Sequence, residues 1–204
     1  MLRTPLLLAA LALALAPAAD AQIGLKAGLN TSFLGGDDIG TDAEPRLGFV
    51  GGVTARLNVN PAFAIQAEAL YSQKGDRLPG FADEGGDIVT ALDYVEIPVT
   101  ARIGVPLSPL LDAGVSLGAA AGIPINARKK DDDGEFGSID AKTDFGAVIG
   151  VDVGSGPFYV DGRYTHGFTR AIEEDSALGI EPDAFNRSVS FTFGYRFGSS
   201  GPRY

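Results

Sequence analysis

Alternation with a period of two runs through most of the chain. Between Leu111 and Asn126 the odd positions are Leu111, Ala113, Val115, Leu117, Ala119, Ala121, Ile123 and Ile125, while the even ones are Asp112, Gly114, Ser116, Gly118, Ala120, Gly122, Pro124 and Asn126. One face is apolar and the other carries no large aliphatic residue, the pattern of a strand whose two faces meet different surroundings. A helix would spread these residues around its circumference, and its glycines and proline would cost about 1 and about 3 kcal/mol each. Odd positions are again apolar in Ile23–Phe33, Leu47–Leu57, Phe63–Tyr71, Val95–Ile103, Phe145–Val153 and Val189–Phe197, and even positions in Phe158–Phe168. The pattern predicts eight strands.

Their connections alternate in length. Asn58–Pro61, Gly104–Pro109 and Gly154–Pro157 are short, whereas the stretches near 34–45, 75–90, 127–142 and 169–186 are long. Short turns at one end, long loops at the other and an even strand count predict an all-β fold: an eight-stranded antiparallel up-and-down transmembrane β-barrel of the outer membrane, with short periplasmic turns and four long extracellular loops. A soluble calyx-type ligand-binding barrel shows the same alternation with its apolar face inward, so period alone leaves both open. Two features separate them. An up-and-down arrangement gathers the apolar-face aromatics into two belts, Phe33, Phe49, Tyr71, Phe145 and Phe168 at the loop end and Phe63, Phe158, Tyr195 and Phe197 at the turn end, as membrane girdles require. The other face mixes glycines with charges, which suits the filling of a narrow barrel better than an outer surface.

The stretch Asp93–Val105, DYVEIPVTARIGV, concentrates the consequence. Val95, Ile97, Val99, Ala101 and Ile103 are expected to face lipid, and Tyr94, Glu96, Pro98, Thr100 and Arg102 the lumen. An eight-stranded interior is just wide enough for side chains to fill, so its charges must pair. Glu68 and Glu96 have Arg56, Lys74, Arg102 and Arg163 as expected partners in a structural ion-pair network; a proton or ion path is the alternative use of such residues. Pro98 lacks the N–H of a ladder and predicts a bulge or local break in pairing.

Residues 1–21 read as a cleaved signal peptide: Arg3, the apolar run Leu6–Ala16 and a small-residue site at Ala19–Ala21. That leaves 22–197 as the barrel domain and 198–204 as a short C-terminal tail. The chain has no cysteine, which excludes disulfides and thiol chemistry, and its net charge of −10 disfavours nucleic-acid binding. The acidity lies in the long loops, which hold Asp37, Asp38, Asp42, Glu44, Asp76, Asp83, Glu84, Asp87, Asp131, Asp132, Asp133, Glu135, Asp140, Glu173, Glu174, Asp175, Glu181 and Asp183. DDDGE at Asp131–Glu135 has the oxygen density of a calcium loop but not its alternating spacing, so a solvated acidic rim is the simpler reading.

The segments GLKAGLN (Gly24–Asn30), GFVGGV (Gly48–Val53), IQAEALYSQKG (Ile65–Gly75) and DYVEIPV (Asp93–Val99) resemble successive strands of the PorT-like outer-membrane β-barrel family of Bacteroidetes-type bacteria. The resemblance spans the mature chain and implies an outer-membrane barrel. One named member serves a protein-secretion apparatus, which makes an accessory role in secretion or assembly an alternative to a structural or surface-interaction role through the acidic loops. The partners expected are outer-membrane lipid and lipopolysaccharide, and proteins at the extracellular loops or in a secretion complex.

Catalytic chemistry finds little support. His166 is the sole histidine, and the residues two positions away on its face are Tyr164 and Phe168, so it has no nucleophile to activate as a lipid-modifying enzyme would need. Glu68 and Glu96 as an acid/base pair would need a substrate pocket in a filled lumen. No catalytic, metal or cofactor residues are assigned.

Overall fold

The computed structural model describes residues 21–35, 44–79, 87–130, 136–138, 141–170 and 185–198. The signal segment, most of the acidic loop residues including Asp131–Glu135, and the tail beyond Gly198 lie outside them. Nine strands are described: β1 (Ala21–Gly35), β2 (Glu44–Asn58), β3 (Phe63–Leu78), β4 (Ile88–Ser108), β5 (Leu111–Lys130), β6 (Phe136–Ser138), β7 (Asp144–Ser155), β8 (Phe158–Arg170) and β9 (Phe185–Arg196). Around the barrel the order is β1-β2-β3-β4-β5-β7-β8-β9, every neighbour antiparallel, and β9 returns to β1 in a ladder from Gly24↔Arg196 to Gly35↔Phe185. The eight-stranded sheet is closed, so no barrel strand leaves an edge whose backbone groups lipid could not satisfy. The short β6 adds to the loop end of β5 alone.

The three turns follow from their residues. Asn60 Oδ1 accepts the amides of Ala62 and Phe63 (both 2.9 Å), and Ser108 Oγ accepts those of Leu110 (3.3 Å) and Leu111 (3.2 Å). Gly156 takes a φ of 59° before Pro157, whose ring forbids a second positive φ; glycine followed by a negative-φ residue is the type II′ hairpin combination.

The apolar face points outward. Leu117 is 65% exposed, Ile149 56% and Phe191 70%, while the interior holds Lys26, Glu68 and Arg163 at 7% or less. This inverts a soluble barrel and overturns the calyx alternative: an exterior of bare aliphatic side chains is compatible with lipid, not water.

Three local expectations are refined. β4 begins at Ile88, seven residues before the expected Val95, and runs to Ser108, so the second turn shrinks to Pro109 and Leu110. Pro98 produces a break but no bulge. The β3–β4 ladder lapses between Ala67↔Val99 and Leu70↔Glu96 and resumes in the same register, while Pro98 still pairs with Ala120 of β5. The β4–β5 register shift sits instead between Asp93 and Tyr94. Asp76, counted among the loop acids, is a buried member of β3. It follows Gly75, whose φ of 130° marks an irregularity held by reciprocal bonds with Ser32 Oγ (3.0 and 3.1 Å). A Cβ at Gly75 would lie 1.9 Å from the Thr90 carbonyl oxygen, so only glycine fits.

Candidate functional site

The inward positions of the eight strands stack charged groups in three tiers. At the turn end Arg102 reaches Asp152 through Nε (2.6 Å) and Nη2 (2.5 Å), and Nη2 also meets Asp112 at 2.7 Å. Arg56 donates to Asn58 Oδ1 at 3.1 Å, and the Arg196 guanidinium lies 4.2 Å from the centre of the Tyr159 ring. That ring packs where Gly194 has no side chain: a Cβ there would stand 2.2 Å from Tyr159 Cζ.

The middle tier centres on Glu68. Arg163 grips it with a two-pronged contact, Nη1 to Oε2 and Nη2 to Oε1, both 2.7 Å. Lys26 Nζ adds a bond at 3.0 Å, and Gln66 donates to the same carboxylate. Asp161 completes a square, joined to Arg163 Nε at 2.6 Å and Lys26 at 3.3 Å, with Thr192 Oγ1 donating at 2.6 Å. Two cations thus meet two anions, with both side chains of the Lys26–Glu68 pair 1% exposed. Burying such charges is tolerable only when each is paired and hydrogen-bonded.

Toward the loop end, Lys74 pairs with Glu96 and lies 5.5 Å from the Tyr94 ring centre. Asn186 donates to Asp144 Oδ2 (3.0 Å) and to the Tyr94 hydroxyl (3.3 Å), and Thr169 donates to Asp144 Oδ1 at 3.1 Å. A cavity of about 20 Å³ separates this tier from the middle one, bordered by Asn30, Leu70, Glu96, Val148 and Ser190. It has room for about one water, since one needs roughly 10–15 Å³. Asn30, on its border, has its Oδ1 buried without a partner among the described residues.

Of the residues expected in the network, Glu68 meets Arg163 and Glu96 meets Lys74. Arg102 turns to Asp112 and Asp152 rather than to a glutamate, and Arg56 to Asn58. Lys26, Asp161, Asp112 and Asp152 join as partners. Each sits at an inward position of its strand, so parity marks it as inward; choosing its partner requires the register between strands distant in sequence.

The outward aromatics lie at both ends. Phe49, Phe145 and Phe168 are exposed at the loop end, with Phe33 and Tyr71 half-buried beside them; Phe158, Tyr195 and Phe197 are exposed at the turn end, with Phe63 half-buried. Phe158 and Tyr195 meet edge to face at 5.2 Å, as do Tyr195 and Phe197. His166 Nδ1 shares a 3.1 Å hydrogen bond with the Tyr164 hydroxyl, and its ring lies 5.5 Å from Phe168. Above the girdle, Arg77 binds Asp87 and lies 3.9 Å from Glu44. Among the described residues no group of three or more histidine, aspartate or glutamate side chains could hold a metal ion.

A closed barrel with aliphatic exterior, aromatic ends and a polar, paired interior is an outer-membrane β-barrel protein. The chain belongs to the outer membrane protein beta-barrel domain family, whose model matches residues 15–173. No curated protein matches the sequence. Among solved structures, OprG of Pseudomonas aeruginosa is 13% identical, with 87% of this chain and 96% of that one covered and a TM-score of 0.52. Neisserial surface protein A is 11% identical, covering 88% and 98%, with a TM-score of 0.50. The attachment invasion locus protein Ail of Yersinia pestis, in complex with the heparin analogue sucrose octasulfate, is 17% identical over 87% and 99%, with a TM-score of 0.45. For OprG and Neisserial surface protein A, at such identities, the likeness is one of fold.

Proposed function

We propose that this outer-membrane barrel is a non-enzymatic, non-conducting protein with a structural or surface-interaction role carried by its extracellular loops. The observation behind the reading is the lumen: among the described residues three tiers of charged side chains fill it, and the cavity between two of them measures about 20 Å³. In this reading Glu68, Glu96, Arg56, Lys74, Arg102 and Arg163 serve stability, not transport. Catalysis at His166 is disfavoured because the polar group beside it is a tyrosine hydroxyl and its other neighbour is Phe168. The PorT-like kinship, carried by the EALYSQKG and YVEIPV segments, fits the same proposal. So does a mature chain starting at Gln22, with barrel domain 22–197 and tail 198–204; N-terminal sequencing of outer-membrane protein checks that start. Reconstitution into planar bilayers tests the function: the reading expects no discrete current steps, and stable steps of porin size would overturn it.

A further inference from the structure

Arg187 stands apart from the other arginines of the barrel. Register and parity place it outward in β9, opposite His166 of β8 and Phe33 of β1, in the strand whose Phe191 and Phe193 are exposed below it. This is the level of the loop-end girdle. Its Nε is buried with no hydrogen-bond partner, and among the described residues no carboxylate pairs with its guanidinium. Every other arginine described in the site above has a carboxylate, an amide or an aromatic face. A guanidinium at a membrane interface that no carboxylate among the described residues pairs is costly unless another anion meets it.

The neighbours fit such an anion. The hydrogen bond between Tyr164 and His166 Nδ1 fixes the imidazole and leaves Nε2 as a second polar atom on the residue that pairs with Arg187 across the β8–β9 ladder. Phe168, 63% exposed, and Phe33 form apolar flanks. The wall faces lipid, so a soluble anion would have to leave water to reach it, whereas a lipid phosphate already resides at girdle depth. We propose that Arg187, with His166, forms a binding site for the phosphate monoester of an anionic lipid headgroup in the outer leaflet. Arginine's planar fork matches phosphate oxygens two at a time, which a lysine cannot do.

Native mass spectrometry of the full chain in detergent tests this, with bisphosphorylated lipid A and its dephosphorylated form as probes. Wild-type protein should retain the phosphorylated probe at collision energies that strip the other. Arg187→Gln should lower that retention roughly tenfold or more, the equivalent of losing a charged hydrogen bond. Arg187→Lys, which keeps the charge and preserves folding should the glutamine variant fail, should fall in between. Undiminished retention in either folded variant, or no preference of wild type for the phosphorylated probe, would overturn the proposal. So would displacement of lipid A by millimolar inorganic phosphate, because the ligand would then be a free anion. Since the readout is lipid retention, a barrel that conducts ions would leave this inference standing.

Discussion

Glu68→Gln is the sharpest perturbation of the lumen. The side chain is almost isosteric, but its loss of charge leaves Lys26 and Arg163 facing Asp161 alone, two buried cations against one anion. Removing one partner of a buried ion pair costs about 3–5 kcal/mol, because the remaining charge stays desolvated. Glutamine retains one acceptor oxygen, which places the expected loss near 3 kcal/mol, the lower end of that range. Lys26→Met removes one cation, so the pair Glu68→Gln/Lys26→Met restores one charge of each sign and should cost less than the sum of the single changes. Two cations held by one carboxylate make that coupling roughly 1–3 kcal/mol. The chain has no tryptophan, so urea unfolding in lipid vesicles is best followed by circular dichroism and by the difference in gel mobility between boiled and unboiled samples. A loss below about 1 kcal/mol for Glu68→Gln, or strict additivity in the double variant, would refute a desolvated network, since solvated pairs contribute only that much.

Other expectations use the same unfolding assay. Leu117→Arg, at an outward position near the middle of β5, should cost about 2–4 kcal/mol, whereas Leu107→Arg at the turn end should cost about 0–1 kcal/mol; equal costs would contradict the assigned lipid depth. Gly75→Ala should destabilise by at least about 1–3 kcal/mol, combining a strained φ with a backbone clash, and an unchanged midpoint would show that the local geometry is different. Asp76, above the girdle, has its carboxyl pushed up from the ordinary value, chiefly by burial. An acid with a raised folded-state pKa penalises folding once pH exceeds its unfolded value, and the penalty vanishes below it. Asp76→Asn should therefore stabilise the barrel at neutral pH, with the gain disappearing as pH falls through the carboxylate range; a gain that grows on acidification would reverse the sign.

The fold was legible because one rule, alternation, holds in every membrane-spanning strand. Lipid permits only apolar residues on one face, and a narrow lumen favours glycine and paired charges on the other. Where that rule lapses, so does legibility. Thr90, Ala91, Leu92, Asp93 and Tyr94 are all buried on successive positions, which hid the start of β4: residues 88–90 fell in the expected loop 75–90, and alternation was legible only from Val95. Asp76 was assigned to the rim by its charge, although β3 continues past Gly75 in unbroken register with β4 and buries it. The candidate network was half legible: Glu68, Glu96, Arg56, Lys74, Arg102 and Arg163 were recognised as inward by parity, but Arg102 faces Asp152 across 50 residues of sequence, a partnership set by the registers of β4 and β7 on β5. Arg187 carried no signal at all, since its distinction is a buried Nε with no hydrogen-bond partner among the described residues.

The most direct test of a filled lumen uses the cysteine-free sequence as a silent background. Ser190→Cys places a thiol at the interior cavity, and Ser155→Cys places one at an exposed turn. Folded into vesicles permeable to the reagent, each variant would be treated with a charged maleimide. A packed lumen predicts rapid labelling at position 155 and none at 190 until the protein is unfolded; equal rates at the two positions would mean that water and ions enter the barrel, contradicting the closed interior.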